Sequence, residues 1–254
     1  MTLRVFITGG SSGIGFELAR QYLESGAIVG ITSRDASRLD FFGQNWPGRA
    51  LLLGADVRDM VSMKRAAELF LALHGAPDIV YANAGISIGN LTELEEDIAV
   101  FEEILDTNVT GMVRTFQPFL AAMKQRGSGK LVGISSIAGF RGLPGASAYS
   151  ASKAAAIRYL EGLRAELYGS GIRVITICPG YVATPMTSRN PYPMPFLVPA
   201  SKAASGIIRS VEMDRLRYTF PWQMKAIGML LGMLPDRLHS LLFSRAPRKP
   251  RMGD

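Results

Sequence analysis

The sequence predicts an α/β domain with one doubly wound, Rossmann-type parallel sheet and helices on both faces. Three observations carry that prediction. Short continuous apolar runs alternate with amphipathic stretches of helix length, the signature of strands buried on both faces. A glycine-rich loop closes the first apolar run and opens the first helical stretch. The 254 residues are 48% hydrophobic, enough for one large core without disulfides or metals.

The elements follow in order. Leu3, Val5, Phe6 and Ile7 mark a first strand over 3–8. The glycine loop leads into an amphipathic stretch over 15–26. Apolar runs at 27–32 and 50–54 give the next two strands, and 60–74 has helical spacing. A strand at 79–82 precedes a long helical stretch over 95–126. Strands at 130–135 and 173–178 flank a helix over 150–169. Alternation of this kind feeds a parallel sheet through right-handed crossovers. Composition shifts after residue 187. Pro191, Pro193, Pro195 and Pro199 punctuate 190–199 as a loop, and 187–222 reads as the region covering a substrate. The last strand candidate is 217–220. Residues 223–254 form an apolar helical segment and a basic tail. No linker divides the chain, so 1–254 is read as one domain.

Composition removes several function classes. Cys178 is the only cysteine, which excludes a disulfide framework and fits a reducing, cytoplasmic setting. His74 and His239 are the only histidines, and their spacing offers no metal site. Nothing at the N-terminus resembles a signal peptide. The net charge is +7, part of it from Arg245, Arg248, Lys249 and Arg251. That cluster reads either as a solvated end or as a contact with anionic lipid. No aromatic–basic interleaving accompanies it, so nucleic acid is not expected as a partner. The apolar run at 226–234 stops at Pro235, far short of the about 20 residues that span a bilayer. It either packs over the substrate cleft or a second subunit, or lies in a membrane interface. Met186, Met194, Met224, Met229 and Met233 are candidates for an adaptable lining.

Gly9, Ser11, Ser12, Gly13, Ile14 and Gly15 stand between strand and helix, where glycine lets backbone approach a phosphate. The helix N-terminus adds free N–H groups and a positive dipole end. At the end of the second strand, where a carboxylate would pair with the ribose hydroxyls of NAD, stand Ser33 and Arg34. A guanidinium there suits a 2′-phosphate, so NADP(H) is expected over NAD(H). Asp35 comes one residue late and would face away. Tyr149 and Lys153, four apart on a helix, share a face. An ammonium beside a phenol favours the phenolate, which suggests acid/base chemistry.

These motifs resemble the short-chain dehydrogenase/reductase superfamily, whose loop reads T-G-x-x-x-G-x-G. The likeness covers roughly residues 1–187. It implies that Asp56 and Val57 contact the adenine, and that Asn83, Ala84 and Gly85 support the sheet beside the cofactor. It also implies that the segment holding Pro179, Gly180, Val182 and Thr184 seats the nicotinamide. Asn108, Ser136, Tyr149 and Lys153 then form the catalytic set. Ser136 donates to the substrate oxygen and Tyr149 transfers the proton. Lys153 holds the ribose and lowers the tyrosine pKa, while Asn108 positions a water. Ser135 competes with Ser136, and the thirteen-residue spacing to Tyr149 favours Ser136. The D-G-G-like last strand of many soluble tetramers is missing. The ending is more similar to members acting on lipophilic alcohols and ketones.

The expected activity is therefore NADPH-dependent reduction, reversible as dehydrogenation, of a small to medium apolar ketone or aldehyde. The expected assembly is a homodimer. The alternative is a non-catalytic dinucleotide-binding regulator on the same fold. Epimerase or dehydratase chemistry would call for a larger C-terminal substrate region.

Overall fold

The structure is a computed structural model that describes residues 2–251. Its first half runs β1 (Arg4–Thr8), α1 (Gly13–Glu24), β2 (Ile28–Ser33), α2 (Asp40–Asn45), β3 (Ala50–Gly54), α3 (Met60–His74) and β4 (Ile79–Ala82). Next come α4 (Asp97–Leu105), α5 (Gly111–Arg126), β5 (Gly129–Ile134), α6 (Ser147–Glu166) and β6 (Ile172–Pro179). The last part holds β7 (Val182–Ala183), β8 (Val198–Pro199), α7 (Ala200–Glu212), β9 (Arg217–Phe220), α8 (Trp222–Met233) and α9 (Asp236–Phe243).

Seven strands pair in parallel in the order β3-β2-β1-β4-β5-β6-β9. The order reverses beside β1, which opens a crevice at the carboxyl ends of β1 and β4. Strand residues alternate between two cores. Val5, Ile7, Ile79, Tyr81, Ile175 and Ile177 face the layer that α1 and α7 cover with Leu18, Leu23, Ala203 and Ile207. Phe6, Val80, Leu131 and Val174 face the opposite layer, covered by Met63, Phe70, Phe116 and Leu160 of α3, α5 and α6. The period of two sends neighbouring side chains to opposite faces.

Phe119 is fully buried in the second layer, its ring centroid 4.6 Å from Phe6 and 6.1 Å from Phe70. Phe119→Ala would leave a cavity under the central strand and should cost about 3–5 kcal/mol in urea unfolding. A loss under about 1 kcal/mol would mean that this layer collapses around the gap.

Two parts of the sequence reading change. Residues 95–126 are not one regular helix: α4 and α5 are joined by a π turn at Asp106–Thr110. The region 187–222 is not all cover. Its α7 lies on α1, where Gln21 Nε2 donates to Ser201 O at 2.9 Å and Ser205 Oγ donates to Gln21 Oε1 at 2.9 Å. Ala203, Ala204, Ile207 and Val211 of α7 are buried against the sheet, a helical spacing hidden behind the preceding prolines. Only 187–199 stays beside the cleft. Met1 and the end of the tail, 252–254, lie outside the described residues.

Candidate active site

The glycine loop is held from below. Asn83 Nδ2, just past β4, donates to Thr8 O at 2.9 Å and to Gly9 O at 3.1 Å. Asn83 N and Ala84 N both point at Thr8 Oγ1. A Cβ on Gly15 would come within 2.3 Å of Gly9 O and 2.4 Å of Asn83 Nδ2, so only glycine lets α1 start this close to the loop. Gly15 is therefore part of the support and does not itself line the cleft. Ser12 precedes α1 in extended conformation, and its side chain makes no capping hydrogen bond. The first amides of α1 are left for a ligand, the arrangement a pyrophosphate needs.

The cleft above this loop is lined by every other residue expected to bind the cofactor. Ser33 and Arg34 stand at one end of it, and Arg38, from the short turn after β2, joins them. Sequence reasoning missed Arg38, although its four-residue spacing from Arg34 was available as a signal. Asp35 also borders the cleft, but its carboxylate accepts from Ser37 N and Ser37 Oγ, which hold it below the usual carboxylate range. Asp56 is likewise committed: Arg58 binds both its oxygens and lowers its pKa, while also reaching Glu103 at 2.8 Å. Among the described residues Arg34 and Arg38 have no ion-pair partner, so two guanidiniums are available for a phosphate.

At the other end stand Ser136, Tyr149 and Lys153. Ser136 follows β5 and starts a short 3-10 turn, where its Oγ accepts from Ala138 N at 3.1 Å. Ser135 is turned away, its Oγ donating to Lys153 O at 2.7 Å. Lys153 Nζ donates to Ile134 O at 2.9 Å and lies 5.6 Å from the centre of the Tyr149 ring. The spacing of four thus brings the pair together, but the phenol is not shifted toward the phenolate as the sequence suggests. Burial raises the Tyr149 phenol above its ordinary value, and a hydrogen bond with Ser136 only partly offsets this. Burial also depresses the Lys153 ammonium, to about 8.

Asn108 does not line the cleft. It sits in the π turn, 1% exposed. Its Oδ1 accepts from Ile86 N at 2.8 Å, and its Nδ2 donates to Ile86 O at 2.9 Å and to Ser152 Oγ at 3.0 Å. Ser152 Oγ in turn donates to Tyr149 O at 2.7 Å. The side chain is spent on joining the π turn to Ile86 and α6.

Ser136 and Tyr149 also line a second, mostly apolar cleft, walled by Phe140, Leu143, Tyr192, Met224, Ile227 and Leu231. The inner face of α8 closes it: a Cβ on Gly228 would meet Phe140 at 2.8 Å. Met186 and Met224 line this cleft as expected; Met229 and Met233 are exposed on the outer face of α8. Among the described residues no helix is long and apolar enough to cross a membrane.

Up to residue 251 the basic tail is not a free end, although Arg245 and Arg248 stay exposed. It folds back across the cleft mouth. Pro250 O accepts from Gly89 N at 2.9 Å, and Arg251 bridges Glu96 and Asp97. Lys249 reaches into the apolar cleft.

A parallel doubly wound sheet with a glycine loop at its switch point, beside a Ser–Tyr–Lys cluster, defines a dinucleotide-binding α/β oxidoreductase. The short chain dehydrogenase family matches over residues 4–193. An uncharacterized oxidoreductase of Myxococcus xanthus is 35% identical over 248 residues, covering 96% of both chains. The Nostoc protein named ketoacyl reductase HetN is 32% identical over 215 residues, covering 82% of this chain and 75% of its own. A Burkholderia cenocepacia short chain dehydrogenase, solved in complex with NADP, superposes with a TM-score of 0.82 at 25% identity, covering 97% of this chain and 99% of its own. The chain belongs to the short-chain dehydrogenase/reductase superfamily and is an oxidoreductase of that family.

Proposed function

We propose that this oxidoreductase is an NADPH-dependent reductase, reversible as a dehydrogenase, acting on the carbonyl of a small to medium apolar ketone or aldehyde. The observation that carries the reading is the junction of the two clefts. Ser136, Tyr149 and Thr187 are the polar side chains common to both walls at the point where polar lining gives way to apolar, and the Thr187 hydroxyl is already committed to Val182 O at 2.6 Å. A nicotinamide bound in the first cleft supplies the hydride. Ser136 Oγ holds the substrate oxygen, where preorganised donors stabilise the developing negative charge. Tyr149 gives its proton to that oxygen. The phenol is protonated at neutral pH, as a donor must be, although burial makes it a weaker acid than a free tyrosine. Lys153 adds a fixed positive charge behind the phenol.

Arg34 and Arg38 support NADP(H) over NAD(H), in line with the NADP bound by the Burkholderia relative. Arg34→Ala should raise KM for NADPH by about tenfold or more while leaving KM for NADH nearly unchanged, as the loss of a charge-assisted phosphate contact requires. Equal changes with both cofactors would remove the assignment.

NADPH consumption across a panel of ketones and aldehydes, with Tyr149→Phe as control, tests the activity. A protein that binds NADPH and consumes none with any carbonyl would be the non-catalytic regulator instead. A cytoplasmic homo-oligomer belongs to the same proposal. The exposed Trp222, Met229, Leu230 and Met233 of α8 are the surface that a second subunit or a membrane interface would use. Light scattering checks the first, and co-sedimentation with anionic vesicles checks the second.

A further inference from the structure

Lys249 arrives in the cleft from the far end of the chain. Its backbone is pinned by the two residues that follow it: Pro250 O takes the Gly89 amide, and Arg251 Nε lies 2.9 Å from Asp97 Oδ2. The fit is close, since a Cβ on Gly89 would lie 2.2 Å from Lys249 O. The side chain then points inward. Its Nζ donates to Ser87 Oγ at 2.7 Å and sits 5.7 Å from the centre of the Tyr149 ring, on the substrate side.

The surroundings of that ammonium are unusual. Among the described residues no Asp or Glu lines this cleft. The other cation on its wall, Arg141, is already paired with Asp236 at 2.6 Å. Lys249 has one neutral hydroxyl as its partner and apolar walls beyond it. A partly desolvated ammonium without a counterion is costly to hold. The cost is visible in its pKa, which burial depresses to about 8. Nothing in the tail's anchoring requires the charge, because Pro250 and Arg251 make those contacts.

We propose that Lys249 is a substrate-specificity residue that binds a carboxylate, and that the substrate is an oxo acid with a long apolar body. The inference rests on the reductase reading for the reacting carbonyl and adds the second anchor point. With the carbonyl oxygen at Ser136 and Tyr149, a carboxylate at Lys249 lies within a few bonds of the reacting carbon. The apolar remainder then runs along Phe140, Met224, Ile227 and Leu231. The substrate supplies the counterion that Lys249 lacks among the described residues.

The test has two arms, each comparing wild type with Lys249→Gln and Lys249→Arg. In the first, γ-oxodecanoate and its methyl ester are reduced with NADPH. The ratio of kcat/KM for acid over ester should fall roughly 30-fold in Lys249→Gln, the scale of a lost charged hydrogen bond, and stay within about fivefold in Lys249→Arg. In the second, decanoate and methyl decanoate are titrated calorimetrically into the NADPH-loaded protein, which needs no turnover. The ratio of the two dissociation constants should shift by a similar factor in Lys249→Gln. Ratios unmoved by Lys249→Gln in both arms would overturn the carboxylate site and leave the reductase standing. Lys249-dependent decanoate binding without reduction of any ketone would overturn the reductase and keep the site.

Discussion

Tyr149→Phe is expected to lower kcat by about a thousandfold, within the range a positioned general acid contributes. The dissociation constant for NADPH should move less than about threefold. The change removes one oxygen and leaves the ring in place. The alternatives for delivering a proton are poor. Lys153 Nζ donates to Ile134 O, behind the tyrosine as seen from the apolar cleft. Ser136 Oγ points its proton at Pro179 O, 3.4 Å away, and its hydroxyl is a far weaker acid than a phenol. Stopped-flow absorbance of NADPH with a reactive ketone measures the step directly. A variant keeping more than about a tenth of wild-type kcat would show that another group or water delivers the proton.

The cofactor half of the site was legible because its signals are local. Gly9, Gly13 and Gly15 follow a strand within a few residues, and Arg34 follows the next strand at once. Strand 79–82 and helix 60–74 keep their read boundaries. Asp59 caps the helix by accepting from Val61 N, and Gly75 ends it with a positive φ of 73°. What stayed hidden depends on distance along the chain or on burial. Arg251 meets Asp97 from 154 residues away, so no window of sequence shows that the basic tail returns to the cleft. Asn108 reads as a helix-interior polar residue, and the π turn that consumes its side chain leaves no compositional mark. The spacing of Tyr149 and Lys153 brings a charge near a phenol, but it cannot weigh that charge against desolvation, and here desolvation wins.

That same desolvation makes Lys153→Met a sharp test of whether Lys153 is kept for function at the expense of stability. The variant should lose at least a hundredfold in kcat, because a charge and a donor leave the reacting end. It should nevertheless be no less stable than wild type at pH 7, and by the following reckoning more so. Burial moves the ammonium from 10.5 to about 8, which corresponds to about 3 kcal/mol of unfavourable burial when charged. The lost bond to Ile134 O returns about 1 kcal/mol of that. A net gain of about 1–2 kcal/mol in urea unfolding of the cofactor-free protein is expected. The sign with pH follows from linkage. Because the folded pKa is depressed, the unfolded chain holds more protons between about 8 and 10.5, so wild-type stability rises with pH once about 8 is passed. Lys249, also depressed to about 8, contributes in the same direction. The clean window ends near 9, where Cys178, raised to about 11 when folded, begins to oppose it. Between pH 8 and 9 the Lys153→Met protein should therefore gain visibly less stability than wild type. A variant destabilised at pH 7 by more than about 1 kcal/mol, with the wild-type rise intact, would mean that Lys153 is a structural strut held in a better-solvated site than its burial implies.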